Sequence, residues 1–233
     1  MRTLVLIPTR RDSVGLPGKH HLFLGHIPEI DWTLNSCKEL HLSYKDEMEF
    51  ALTTNDDRLL NHTEIAYPFV HLIRRKDEMC LSGSDPVEYI FHALKHFGDP
   101  FDNIMILQPT SPLRRTFDVS LAYDKFKSRS KKENLLISVC PISEHPSEYI
   151  TEVKKLILKP PKKNGRQNFQ PDIFFINGAI YIMDTKWFMK KKCFFDGKNT
   201  MLHVMERKYS VDINYQEDLD YANFLVEKGH VKC

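Results

Sequence analysis

The chain has 233 residues, of which 42% are hydrophobic, 27% charged and 11% aromatic. That is the profile of an ordinary globular protein and excludes a disordered or collagen-like chain. Lys and Arg number 33 against 31 Asp and Glu, a formal net charge of +2, which argues against a dedicated nucleic-acid binder because such domains carry a strong basic excess.

A small anionic substrate needs only a few local cations and stays open. The length fits one large domain, or one domain with an appendage, able to bury a core without disulfides or metal. The five cysteines, Cys37, Cys80, Cys140, Cys193 and Cys233, are scattered with no CxxC pair, so neither a zinc site nor a disulfide framework is expected. The apolar run Leu4-Val5-Leu6-Ile7 is too short for a signal-peptide core and is followed by Arg10 and Arg11. No stretch reaches the roughly 18–20 apolar residues of a membrane span. The expectation is a soluble, cytoplasmic protein with no membrane or nucleic-acid partner.

In chain order, strands are predicted over residues 3–7, 48–53, 69–73 and 103–107. Before the last of these lies a well-marked helix. Ser84 is its predicted N-cap, Pro86 suits the first turn, Val87, Ile90, Phe91 and Leu94 fall on one face, and Gly98 closes it. Thr116 precedes a helix whose face is Val119, Ala122, Tyr123 and Phe126. Strands alternating with helices imply βαβ units, a mostly parallel sheet, and functional loops at the carboxyl ends of its strands.

The second half reads as a strand at 135–140, a hairpin within 149–158, a Pro- and Lys-rich connector at 159–170, a strand at 174–183 and another within 201–213. Asp218 is predicted to cap a last helix, with Leu219, Ala222, Leu225 and Val226 inward and Gly229 as its stop. The basic stretch 154–166 reads as an excursion from the sheet, used as a lid or for pairing with another subunit. The lysine clusters at 125–132 and 186–192 read as solvated faces or an anion-attracting rim.

Four segments carry possible chemistry. The loop from Pro8 to Lys19 brings Arg10, Arg11, Lys19 and glycines together, so it is either a phosphate cradle or a surface turn. It is neither a Walker A loop nor a GxGxxG fingerprint. LQPTSPLR at 107–114 is a loop stiffened by Pro109 and Pro112 that offers Gln108, Thr110 and Ser111 for binding. Gly178 inside NGAIY at 177–181 marks a bulge or a close backbone approach. In SVDIN at 210–214, period two would place Asp212 and Asn214 on one face, as a cation site or as a plain strand end.

Together these segments resemble the acylneuraminate cytidylyltransferases, also called CMP-sialic acid synthetases. That family opens with IPARxxSKGLPxKN, matched here by IPTR at 7–10 and SVGLPGKH at 13–20. LQPTSPLR and NGAIYI are matched at every position, at 107–114 and 177–182. The family's SxDIDxxxDL appears as Ser210 to Asn214 and then Asp218-Leu219, and Cys193-Phe194-Phe195 resembles a segment by which some members reach into the partner's sugar site.

The resemblance implies a Rossmann-like α/β nucleotidyltransferase, one domain over 1–233, with dimerisation excursions at about 141–172 and 186–200. It implies a homodimer that uses Mg²⁺ and activates a nine-carbon α-keto acid sugar with CTP, giving a CMP-sugar and pyrophosphate. By the same resemblance Arg10, Lys19 and Asp212 are catalytic. Arg10, Ser13, Gly15, Lys19, His20, Arg75 and Ser82 bind the nucleotide, with His20 standing where the family has Asn. Gln108, Thr110, Arg166, Asn177, Tyr181, Phe194 and Phe195 bind the sugar, and Asp212 and Asn214 hold the metal.

The departures are Val14 for a loop lysine, Asn55 and Ser82 where Asp is expected, Asn214 for the second metal carboxylate, and Phe175 for an arginine. They cluster on the triphosphate and metal side, so the alternative is a non-catalytic or altered-specificity homologue that binds a nucleotide or partner as a dimer.

Overall fold

A computed structural model describes residues 1–98, 100–144, 150–151, 156–157 and 173–231. In chain order the first half runs β1 (Thr3–Pro8), the short hairpin β2 (Phe23–Leu24) and β3 (Ile27–Pro28), α1 (Glu29–Ser43), β4 (Met48–Thr54), α2 (Asp57–Ala66), β5 (Val70–Arg74), α3 (Pro86–Phe97) and β6 (Asn103–Leu107). There follow α4 (Thr116–Lys127), β7 (Leu135–Pro141), β8 (Ile150–Thr151), β9 (Leu156–Ile157), β10 (Phe174–Asp184), α5 (Thr185–Lys191), β11 (Thr200–Val204) and α6 (Gln216–Glu227).

Seven strands form one sheet in the order β11-β7-β10-β6-β1-β4-β5. All neighbours pair in parallel except β10, which runs antiparallel between β6 and β7. This is the mostly parallel, Rossmann-like α/β architecture expected from the alternating pattern.

Both faces of the sheet are covered, which is why its strands read as unbroken apolar runs. Val5, Ile7, Phe50, Leu52, Met105 and Ile182 point to one face, where Leu34 and Leu40 of α1 and Val119, Tyr123 and Phe126 of α4 pack on them. Their neighbours Leu4, Leu6, Ala51, Ile104 and Ile106 point to the other, against Ile90 and Ala93 of α3 and Phe188 of α5. A third, smaller core joins Leu16, Leu24, Trp32, Leu113 and Ile213 to Leu219, Ala222 and Leu225 of α6. It braces the first loop against the C-terminal segment, and so fixes one wall of the site.

Several local expectations change. The cap of α3 is Asp85, whose carboxylate accepts from the Val87 N–H at 2.9 Å, rather than Ser84. Thr116 is the first residue of α4, with Arg115 at the N-cap. Helix α6 starts at Gln216, so Asp218 lies inside its first turn and accepts the N–H groups of Asn214 and Tyr215, each at 2.9 Å. The late strand ends at Val204, and a 3-10 turn over Arg207–Tyr209 leads into residues 210–214 without strand pairing. Asp212 and Asn214 therefore meet through a direct hydrogen bond rather than through strand periodicity. The hairpin pairing of β8 with β9 lies within the predicted 149–158. The 159–170 connector and Arg166 lie outside the described residues.

Candidate nucleotide site

Parallel strands deliver their following loops to one end of the sheet. At that end the loops after β1, β5 and β6, together with the 214–215 segment, enclose a cavity of about 510 Å³. Arg10, Ser13, Gly15, Lys19, His20, Arg75, Gln108, Thr110 and Asn214 all line it. Leu81, Ser84 and Tyr89 complete the wall beside Ser82, which is exposed on the same loop.

The loop after β1 is held close to the C-terminal segment. A Cβ at Gly15 would lie 2.4 Å from the Asn214 carbonyl oxygen, so only glycine allows that approach. The Lys19 ammonium donates to the Ile213 carbonyl at 2.8 Å and to Asn214 Oδ1 at 3.4 Å. Burial pushes the Lys19 ammonium below its ordinary range, while the nearby carboxylates of Glu29 and Asp212 oppose the shift. His20 Nδ1 pairs with Glu29 Oε2 at 2.9 Å, and Glu29 is wholly buried.

Arg75 donates to the Thr9 carbonyl of the same loop and lies over the Tyr89 ring, with its guanidinium carbon 5.4 Å from the centroid. Burial lowers the Arg75 pKa and raises that of Tyr89. Arg10 donates to the Leu81 carbonyl at 3.3 Å, bridging two loops at the rim. Val14, at the position where the resemblance expects a loop lysine, lines the cavity and is 75% exposed.

The third wall depends on Arg114, which lies in the LQPTSPLR motif but was assigned no role from sequence. Its guanidinium is buried and donates to the carbonyls of Gln108, Ser111 and Ala179 and to Thr33 Oγ1. Burial brings its pKa down to about 10, which leaves it cationic at neutral pH. One side chain thus ties the Gln108 loop to β10 and α1. At Gly178 the register with β7 shifts, φ is +74°, and an added Cβ would lie 2.9 Å from Gln108 Oε1. The glycine there is both a bulge and a close approach.

Asn177 is 2% exposed. Its amide accepts from Ser138 Oγ at 2.6 Å and donates to Ser210 Oγ at 2.8 Å, tying β10 to β7 and the 210 segment. The Tyr181 ring meets Phe194 of the same chain at 5.7 Å, and Phe195 faces outward, 60% exposed. Phe175 is likewise exposed.

Among the described residues no group of three or more His, Cys, Asp or Glu side chains gathers at one point. Asp212 nevertheless offers one donor suited to a divalent cation. Its Oδ2 accepts from Asn214 Nδ2 at 2.6 Å, and its Oδ1 is buried with no hydrogen-bond partner. Mg²⁺ is commonly held by one or two carboxylates plus substrate phosphates, so Asp212 would retain it only with such further ligands.

The structure is thus a mostly parallel α/β protein whose cavity, at the carboxyl ends of the sheet strands, is lined by the cations Arg10, Lys19 and Arg75. No protein-family model matches the chain. It is 26% identical over 94% of its length to an N-acylneuraminate cytidylyltransferase of Streptococcus agalactiae serotype III, of which it spans 52%. It is 27% identical to the CMP-N,N'-diacetyllegionaminic acid synthase of Legionella pneumophila, over 97% of each chain. The structure of a CMP:2-keto-3-deoxy-manno-octonic acid synthetase complexed with CTP superposes with a TM-score of 0.70 at 14% identity, covering 98% of this chain and all of that one. The chain spans about half the length of several curated relatives it matches. Over nearly its whole length the chain is thus similar to acylneuraminate and related cytidylyltransferases.

Proposed function

We propose that the chain activates a nonulosonic, sialic-type acid with CTP, giving a CMP-sugar and pyrophosphate. The observation that carries this reading is the cavity itself. Arg10, Lys19 and Arg75 bring cations to it, and Gln108 and Thr110 bring neutral hydrogen-bonding groups. A triphosphate suits the cations and a polyhydroxylated acceptor the neutral groups.

In the proposed reaction the anomeric hydroxyl oxygen of the sugar bonds to the α-phosphorus of CTP. The bond from that phosphorus to the bridging oxygen breaks, pyrophosphate leaves, and the hydroxyl proton passes to solvent. Such transfers depend mainly on positioning and charge neutralisation. Arg10 and Lys19 would hold the triphosphate against the loop that begins at Thr9, with Ser13 and Gly15 offering backbone and hydroxyl donors. His20, Arg75 and Ser82 would line the nucleoside end. Asp212 and Asn214 would hold Mg²⁺, whose chemistry there would be neutralisation of phosphate charge.

On the acceptor side Gln108, Thr110 and Tyr181 would meet the sugar, with Asn177 fixing the β10 bulge that supports them. The homodimer belongs to the same proposal, in which residues about 141–172 and 186–200 pair subunits and Arg166, Phe194 and Phe195 complete the sugar site. So do a single domain over residues 1–233 and a cytoplasmic location. Among the described residues no helix is long and apolar enough to cross a membrane.

The test is pyrophosphate release from CTP across sialic, legionaminic and pseudaminic acids, with Mg²⁺ and with chelator. Release that needs both a sugar acid and the metal is expected. No release with any of them would replace this reading by the non-catalytic one that Val14, Asn55 and Asn214 favour.

A further inference from the structure

Glu29 is a buried carboxylate to which the reaction above gives no role. It opens α1, is wholly buried, and its N–H donates to the Leu22 carbonyl at 2.8 Å. Its Oε2 meets His20 Nδ1 at 2.9 Å, while Oε1 is buried with no hydrogen-bond partner among the described residues. A carboxylate held in this way costs stability, since one oxygen loses its water and gains no partner. Burial lowers the pKa of both the Lys19 ammonium and the Arg114 guanidinium, and Glu29 is among the groups that oppose the shift in each. The one side chain that Glu29 bonds belongs to the cavity wall, because His20 is buried yet lines the cavity.

The turn that carries His20 is fixed on both sides. It is entered through Gly18 in the left-handed region, at φ +66°, and beyond His20 it is pinned by His21 Nε2 against Asp56 Oδ2 at 2.8 Å. An ionised carboxylate only accepts hydrogen bonds, so Glu29 draws the imidazole proton to Nδ1 and the neutral ring offers Nε2 as an acceptor. Among the described residues His20 Nε2 has no hydrogen-bond partner. We infer that Glu29 is a positioning residue for nucleobase selection: by fixing the His20 tautomer it makes the cavity favour a pyrimidine with an amino group over one with a carbonyl at the same place. The 4-amino group of cytosine donates to Nε2, whereas the 4-oxo group of uracil would set two acceptors against each other. Glu29 acts through His20 and meets no substrate itself. This inference rests on the nucleotide reading of the cavity.

The test measures CTP and UTP affinities by calorimetry, on the full chain with Mg²⁺ and no sugar acid. Nitrogen-15 NMR locates the His20 proton, with His20→Ala to assign the signals. Wild type is expected to carry that proton on Nδ1 at neutral pH and to bind CTP about tenfold more tightly than UTP. Glu29→Gln keeps the shape but lets an amide donate to Nδ1, which moves the ring proton to Nε2. Its CTP affinity should fall about tenfold and its UTP affinity should not fall. A merely loosened cavity would weaken both nucleotides alike. In a His20→Ala background Glu29→Gln is expected to leave the CTP-to-UTP ratio unchanged, because the ring through which it acts is gone.

Equal wild-type affinity for the two nucleotides, a preference for UTP, a wild-type His20 ring protonated on Nε2, or a parallel loss of both nucleotides in Glu29→Gln would overturn the inference. If Glu29→Gln does not fold by circular dichroism, His20→Ala decides the matter: the preference for CTP should be lost, and a preference kept in full would contradict the inference. Binding of neither nucleotide would sink the nucleotide reading instead, and the position of the His20 proton would still decide whether Glu29 sets the tautomer.

Discussion

Lys19 shows how much a single residue can do at this site. Its aliphatic stem is buried and its ammonium sits at the junction of the first loop, the Ile213 carbonyl and the Asn214 amide. A charge-assisted hydrogen bond to phosphate contributes about 1.5–3 kcal/mol. Lys19→Met keeps the stem and removes the charge, so CTP affinity measured by calorimetry should fall about ten- to a hundredfold. An unchanged affinity would remove Lys19 from the phosphate wall. From sequence Lys19 was legible as a cation near a glycine loop, whereas its partners, nearly 200 positions away, were not. The same holds for Glu29, whose buried carboxylate meets His20 only because α1 follows the β2–β3 hairpin back toward the cavity.

At the scale of elements, the legible ones had a single exposed face or a run of β-branched residues. Helix α3 shows clean periodicity because one side faces solvent. No range was predicted for α1, which buries Glu29, Asp31, Thr33 and Ser36 along with Ile30, Trp32, Leu34 and Cys37, so apolar spacing alone does not outline it. Helix α2 escaped for the opposite reason, being polar around most of its circumference.

That helix also explains Asp56, which sits beside Asn55 where the family's acidic residue is missing. Asp56 accepts the N–H groups of Arg58 and Leu59 and pairs with His21 at 2.8 Å, so it caps α2 and ties it to the first loop. Burial works to raise its pKa, but the His21 hydrogen bond and the two backbone N–H groups together hold it below the usual range. A depressed carboxyl stabilises the fold above its unfolded pKa and loses that contribution as pH falls through the folded value. Asp56→Ala should therefore cost about 1 kcal/mol in urea unfolding at neutral pH, with the gap to wild type steady above about pH 5 and narrowing below about pH 4. A gap that does not depend on pH would contradict the pairing.

The β10 bulge gives a second test at this scale. Gly178→Ala places a Cβ against Gln108 and forces a left-handed conformation, costing about 1–3 kcal/mol. It should also raise the acceptor KM more than that for CTP, because it displaces Gln108 rather than the cation wall. Equal effects on both substrates would mean that the two walls are not independent.

Across the whole molecule, the strand-helix alternation predicted a mostly parallel sheet and loops clustered at its carboxyl ends, and both are present. The reversed middle strand β10 was not legible, since a strand buried on both faces carries no record of its direction. That reversal matters, because it brings the NGAIYI segment beside the Gln108 loop, where Arg114 clamps the two together. The same cavity is lined by the cations Arg10, Lys19 and Arg75 and by the neutral groups Gln108 and Thr110, and the proposed chemistry rests on that combination. Phosphorus-31 NMR of the protein with CTP, Mg²⁺ and a candidate sugar acid tests it most directly. The account predicts that the three CTP resonances give way, in equal amounts, to one phosphodiester resonance and pyrophosphate. Conversion to CDP and phosphate, or to CMP and pyrophosphate with the sugar unchanged, would contradict it.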